Sequence, residues 1–365
     1  MVTASLPKRR CTVIAEAGVN HNGDEALAMS LVEVAAAAGA DIVKFQTFDA
    51  KKLVTSKAPT AAYQKRNFGA GDAQLKMLQA LELDEKQHLA IRDHCEASGI
   101  EFLSTPFDIE SARFLVGSLG VRRIKVGSGE LTNAPMLLEL ARLGLPLILS
   151  TGMASLSEVE EALSVVAFAK VAESSARPSR AAFAEAYASA EARKVLGEVV
   201  VMQCTTEYPA PWDQVNLNVM RTYRDAFGVR PAYSDHTLGI EVSLAAAALG
   251  AEAIEKHFTL SRTMEGPDHK ASLEPEELKA LVLGVDRIEL SLGDGVKRPQ
   301  PSELPNLAVA RKVIVAARDI KAGAIFEPAD LTMKRAGGGL PPIAFWDMVG
   351  RRATRDYNTD EALQP

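Results

Sequence analysis

The chain is short of several things that would settle its class at once. It has three cysteines, Cys11, Cys95 and Cys204, an odd number set far apart. No disulfide framework or zinc knuckle follows from such a set, and a reducing cytoplasm suits it. It has no excess of positive charge, because 41 Lys and Arg face 47 Asp and Glu for a formal net charge of −6. That leaves no basic field for nucleic acid or an anionic membrane, so any phosphate-bearing ligand must be held by a local cluster. Long apolar runs are missing too. The N-terminal run TVIAEAG is broken by Glu16, which fits neither a signal peptide nor a membrane span. No G-x-G-x-x-G follows the first strand, and GSGE at 127–130 has only two glycines at another spacing.

What is present is a regular alternation. Short β-branched runs at 12–19, 41–47, 101–107, 123–129, 146–152, 198–206, 230–236 and 253–259 read as strands. Helical stretches such as DEALAMSLVEVAAAAG and DEKQHLAIRDHCEASG lie between them, each closed by a glycine. Eight strands within about 260 residues match a (β/α)8 barrel, with a doubly wound open sheet as the competing arrangement. Residues 170–197, rich in Ala, Ser, Arg and Glu, read as a helical excursion on the outside. The stretch GDGVKRPQPSELPN, with three prolines and two glycines, reads as a linker. The expected organisation is a barrel over 1–290, a linker over 291–305 and a small module over 306–365. A module of that size is marginal alone and is expected to pack on something.

In such a barrel the chemistry sits at the C-terminal ends of the strands. Those ends carry Glu16, Asn20 and His21; Lys44 and Gln46; Ser104 and Thr105; Lys125, Ser128 and Glu130; Ser150 and Thr151; Thr205 to Tyr208; Ser234, Asp235 and His236; Lys256 and His257. A lone Ser or Thr there is more often a helix cap than a ligand, but all eight strands end this way. Lys44 and Lys125 interrupt apolar strands, where an unpaired ammonium is costly, so each is expected to meet an anion. With Thr105, Ser128, Ser150 and Ser234, and with Gly127 and Gly129 for close backbone approach, they form a phosphate or carboxylate cradle. The plainer alternative is internal ion pairing with Glu16 or Glu130. His236 and His257 end consecutive strands and suit a divalent ion with Glu16 nearby, or else a satisfied histidine pair without metal. His88 and His94 fall on a helix outside the barrel and read as structural or solvated. The loop SRTMEGPDHKAS presents Asp268 over the mouth as a candidate general acid or base, or is a plain surface loop.

Taken together these residues resemble the sialic-acid synthases, the NeuB-type group that makes nonulosonic acids. The matching stretches are IAEAGVNHNG, VKFQTF, FLSTPF, KVGSGE, LSTGM, TTEYPAP, YSDHT and EKHFTLSRTMEGPDHKAS. DIKAGAIFEPADLTMKR and GRRATRD resemble the family's antifreeze-like (SAF) domain, so the likeness covers nearly the whole chain. The resemblance implies condensation of phosphoenolpyruvate with an open-chain N-acylated aldose, with phosphate released by C–O cleavage. It implies phosphoenolpyruvate on Lys44, Thr105, Lys125, Ser128, Ser150 and Ser234, and Mn²⁺ or Mg²⁺ on His236 and His257. It puts Glu16 at the cationic intermediate or as base, and Gln46, Asn67, Tyr208 and Asp268 at the sugar. Arg335, in MKRAGGG, would reach the N-acyl group across a domain-swapped homodimer.

Two features depart from the pattern. The 170–197 stretch is longer than the family's usual link, and Thr206 with Glu207 resembles the legionaminic-acid form, leaving the sugar open between N-acetylmannosamine and its 6-deoxy diamino relatives. A phosphoenolpyruvate-dependent synthase of seven- or eight-carbon keto acids would share the barrel and metal but need no antifreeze-like domain. A non-catalytic glycan- or ice-binding protein would need no lysine, serine and histidine set at the strand ends.

Overall fold

The computed structural model describes residues 11–55 and 74–364. Asn67 lies outside the described residues. The chain divides into two compact units, one ending at Gly293 and the other starting at Asp294.

The first unit holds eight strands: β1 (Thr12–Gly18), β2 (Ile42–Thr47), β3 (Glu101–Pro106), β4 (Ile124–Val126), β5 (Leu147–Ser150), β6 (Val200–Cys204), β7 (Arg230–Asp235) and β8 (Ala253–His257). Their order is β3-β2-β1-β8-β7-β6-β5-β4, and every pairing is parallel. β3 and β4 meet at the seam without a hydrogen-bonded register, so the sheet is a nearly closed barrel of the TIM type and not an open one. β4 and β5 are shorter than their apolar runs suggested, because Ser128 already begins a 3-10 turn and Gly152 a tight turn.

Parallel strands buried on both faces read as continuous apolar runs, yet alternate residues still face opposite ways. Ile14, Ile42, Leu103, Ile148, Met202, Ala232 and Ala253 fill the barrel interior. Their outward neighbours, such as Val13, Val43, Phe45 and Ile254, pack under the helices against Leu31, Val32, Leu278 and Leu281. Asp24, Asp108 and Ser155, in short polar loops after strands, and Asp84, after helix Gln74–Leu81, accept backbone N–H groups at helix starts. The 170–197 stretch forms helices Arg180–Tyr187 and Ala190–Leu196 against the outside of helix Leu156–Val171, where Phe168 and Phe183 meet edge to face.

The segment expected as a linker is more ordered than its prolines implied. Helix Pro275–Leu292 runs into its start, and a turn at Pro301–Glu303 leads into helix Leu304–Ala310. Prolines 301 and 305 sit in the first turns of these elements, where a missing N–H costs nothing. The second unit pairs β9 (Val313–Ala316) antiparallel with β10 (Leu331–Lys334) over a core of Ile314, Ile320, Phe326, Leu331, Tyr357 and Leu363. Among the described residues no helix is long and apolar enough to cross a membrane.

Candidate active site

Two residues along from each member of the interior plug, the same inward direction recurs with opposite chemistry. Ile14 gives way to Glu16, Ile42 to Lys44, Leu103 to Thr105, Ile148 to Ser150, Met202 to Cys204, Ala232 to Ser234 and Ala253 to Glu255. With Lys125 from β4, all of these line one cavity of about 420 Å³ at the C-terminal end of the barrel. That is room for a small metabolite.

The floor is a quartet of charges. Lys44 Nζ lies 2.7 Å from Glu16 Oε2, donates to Thr105 Oγ1 at 2.9 Å, and sits 3.6 Å from Glu255 Oε2. Lys125 Nζ donates to Ser150 Oγ at 2.6 Å and is 3.6 Å from Glu255 Oε1, which accepts from Ser234 Oγ at 2.9 Å. Burial pushes the Glu16 carboxyl up to about 7 against the pull of Lys44. Burial is outweighed at Glu255 by Lys125 and Lys44, which hold it at about 2. The two carboxyls are thus driven apart, one able to carry a proton near neutrality and one permanently anionic. Burial also works against Lys44, but Glu16 and Glu255 keep it above its usual value, whereas Lys125 is lowered, chiefly by burial.

The plainer expectation for the lysines is therefore half realised. Lys44 does pair with Glu16, but Glu130 takes Asn133 Nδ2 at 2.7 Å and has no part in the quartet. The anion between the two lysines is Glu255, which the sequence reading passed over in favour of its neighbour Lys256. Period-two alternation could have found it: if His257 faces the cavity, so must Glu255, and Lys256 must face out. Cys204, 3.2 Å from Ser128 Oγ, was missed for the same reason. Gly152 lets this corner close, since a Cβ there would come within 2.2 Å of Thr206 Oγ1. Its N–H donates to Ser128 Oγ at 3.0 Å.

At the other end stand the histidines. Their ring centroids are 5.6 Å apart, with Tyr208 4.1 Å from His236 and edge-on to His257 at 5.6 Å. His236 Nδ1 lies 2.6 Å from the Thr205 carbonyl, which can only accept, so Nδ1 carries the proton and Nε2 is left as a lone-pair donor. Burial lowers His236 to about 4 and holds His257 well below its usual value, with His236 adding to the effect. Both rings are therefore neutral at physiological pH. His257 Nδ1 is buried without a hydrogen bond. Gln46 and Asp268 line the same cavity, and burial raises Asp268 to about 6.

Other strand-end residues turn away from the cavity. Ser104 bonds Thr47, which bonds His88, so His88 is a buried tie between helix and sheet. His94 is partly exposed beside Glu33. Thr151 bonds the Met202 carbonyl and Tyr223, and Asp235 pairs with Lys256 at 2.9 Å outside the barrel wall. Asn20 and His21 are buried in the loop after β1, outside the cavity lining. Arg335 belongs to the second unit.

Comparison with known proteins places this arrangement. Residues 31–297 match the NeuB family and 311–365 the SAF domain. The N,N'-diacetyllegionaminic acid synthase of Campylobacter jejuni is 46% identical over 98% of this chain and 99% of its own length. Its namesake in Legionella pneumophila is 43% identical over 97% and 93%, and human N-acetylneuraminate-9-phosphate synthase 33% identical over 97% and 91%. The crystal structure of an N-acetylneuraminic acid synthetase from Leptospira borgpetersenii superposes with a TM-score of 0.66 at 31% identity, over 84% of this chain and 94% of that one. The chain belongs to the NeuB family and is an enzyme of the sialic-acid-synthase type.

Proposed function

We propose that this enzyme condenses phosphoenolpyruvate with an N-acylated aminohexose to give a nine-carbon nonulosonic acid and phosphate. The observation that carries the reading is one cavity with a lysine and hydroxyl cradle at its floor and a neutral histidine pair at its side. Lys44, Thr105, Lys125, Ser128, Ser150 and Ser234 hold phosphoenolpyruvate, and Gln46, Tyr208 and Asp268 face the sugar. The 46% and 43% identical relatives named for N,N'-diacetyllegionaminic acid favour a 2,4-diacetamido-trideoxy acceptor over N-acetylmannosamine.

His236 and His257 fit a divalent ion, Mn²⁺ or Mg²⁺. His236 is oriented by a carbonyl on its far nitrogen, as metal-binding imidazoles usually are, and His257 keeps a buried nitrogen without a partner. No group of three His, Cys, Asp or Glu is gathered for a metal among the described residues, so water or substrate would complete the shell. A bound ion there supplies Lewis-acid polarisation of the acceptor's aldehyde oxygen.

The residues then divide the work. The cradle aims C3 of phosphoenolpyruvate at the aldehyde carbon, and carbon–carbon bond formation leaves a cation at C2. Glu16 lies beside that centre and either offsets the charge or takes the proton of the water that adds to C2. Phosphate then leaves by C–O cleavage into Lys44, Lys125 and their hydroxyl partners. Arg335 of the partner subunit reaches the N-acyl group in a domain-swapped homodimer. Support for that role is the match of residues 311–365, which include Arg335, to the SAF domain.

Phosphate release from phosphoenolpyruvate across an acceptor panel tests the reading. Release is expected with N-acetylmannosamine or the 2,4-diacetamido-trideoxy sugars, and none with phosphorylated tetroses or pentoses. His236→Ala is expected to abolish release while the melting curve stays that of a folded protein. Manganese-dependent release surviving that change would remove the metal assignment.

A further inference from the structure

We infer that Asn20 and Ser272 are positioning residues for Asp268, forming a latch that holds the acceptor-side carboxylate over the cavity. The inference rests on the reading of Asp268 as a sugar-facing group. Asp268 lines the cavity, yet among the described residues no hydrogen bond reaches its carboxylate. Nothing at the tip of the side chain fixes its place, so its backbone must.

That backbone is tied from below. Ser272 Oγ donates to the Asp268 carbonyl at 2.7 Å and accepts from Asn20 Nδ2 at 2.9 Å. The second Asn20 N–H donates to the Phe258 carbonyl at 2.8 Å, at the end of β8. One side chain from the loop after β1 thus spans both ends of the loop after β8, and Asn20 and Ser272 are 2% and 1% exposed. A second tie runs beside the first. Asn22 Nδ2 donates to the Glu265 carbonyl at 2.8 Å, and His269 bridges Thr259 Oγ1 at 2.7 Å and Asn22 Oδ1 at 3.3 Å. Gly266, at φ +154°, lies where a Cβ would come within 2.5 Å of the His269 ring, so the loop packs closely on that ring and leaves no room for a side chain.

These bonds lie outside the cradle made by Lys44, Lys125 and their partners, so the latch is expected to act on one substrate only. Ser272→Ala, which removes a single buried hydroxyl, is expected to raise the KM for the acylated sugar at least tenfold and to lower kcat. The affinity for phosphoenolpyruvate, measured by calorimetry without acceptor, should stay within twofold. Ser272→Thr keeps the hydroxyl and should restore most of the acceptor kinetics, and Asn22→Ala should give a milder form of the same acceptor defect. On an Asp268→Ala background, Ser272→Ala should cost nothing further, because the group it positions is already gone. Equal weakening of both substrates, or a full additional loss on that background, would overturn the latch while leaving Asp268 in place. Unchanged acceptor kinetics in Asp268→Ala alone would overturn the Asp268 reading, and the latch with it.

Discussion

Two buried lysine clusters lie on opposite faces of the same barrel wall, and they are built differently. Outside, Lys256 sits 2.9 Å from Asp235 and donates to the Thr237 carbonyl at 2.8 Å. Asp235 also accepts from Thr237 N at 2.8 Å, Thr237 Oγ1 at 2.8 Å, Tyr233 at 3.3 Å and Ser243 at 2.5 Å. Inside, Glu255 stands 3.6 Å from each of its lysines, and its Oε2, with His257 Nδ1 and Thr206 Oγ1, has no hydrogen bond. A buried polar group left incomplete is costly, and the outer cluster has been finished while the inner one has not. The outer cluster holds structure, and the inner one keeps unpartnered polar atoms at the cavity, where a ligand can reach them.

The contrast can be broken in three places. Lys125→Met should have the largest effect, a loss of about 10³-fold in kcat/KM for phosphoenolpyruvate, equivalent to about 4 kcal/mol. Its melting temperature should move by less than about 2 °C, because burial already works against this ammonium and Glu255 keeps Lys44. A drop beyond about 5 °C with activity retained would make the inner cluster structural after all.

Ser243→Ala is the mirror experiment on the outer face. It strips one donor from the buried Asp235 carboxylate and should cost about 1.5–3 kcal/mol, with kcat/KM held within twofold. Thermal melts and steady-state assays of the same preparation would decide it, and lost turnover with unchanged stability would reverse the contrast.

A third expected effect is on stability against pH at Asp268. Burial raises its pKa to about 6 from an unfolded value of 3.8. The folded state therefore favours the proton, so this contribution is fully present below about pH 4 and is lost as pH rises through 6. Asp268→Asn should melt higher than the parent at pH 8, by the equivalent of about 3 kcal/mol, and no higher than the parent at pH 4, while losing acceptor turnover. A gain that grew toward low pH would contradict the sign.

Much of this was legible because strand and helix periods are short-range. Eight apolar runs with glycine-closed helices between them imply a barrel, and the cradle residues follow from where those runs end. What stayed hidden was facing. Glu255 and Lys256 are adjacent in sequence and equally polar, and only the alternation of the strand sends one to the cavity and the other to Asp235. Asn20 had the look of a site residue because it follows a strand end, yet its side chain serves another loop more than 230 positions away, as the separation of 238 residues from Phe258 makes plain.

The sequence by itself determined the eight parallel strands, the order of motifs that marks the family, and the residue types at the strand ends, because local period and turn chemistry act over a few residues. The tertiary structure alone decided which of those residues share a cavity, which carboxyl lies between Lys44 and Lys125, and which loop Asn20 holds. Those outcomes depend on closing the barrel, which brings together groups that the chain keeps far apart and removes the water that would otherwise have satisfied them.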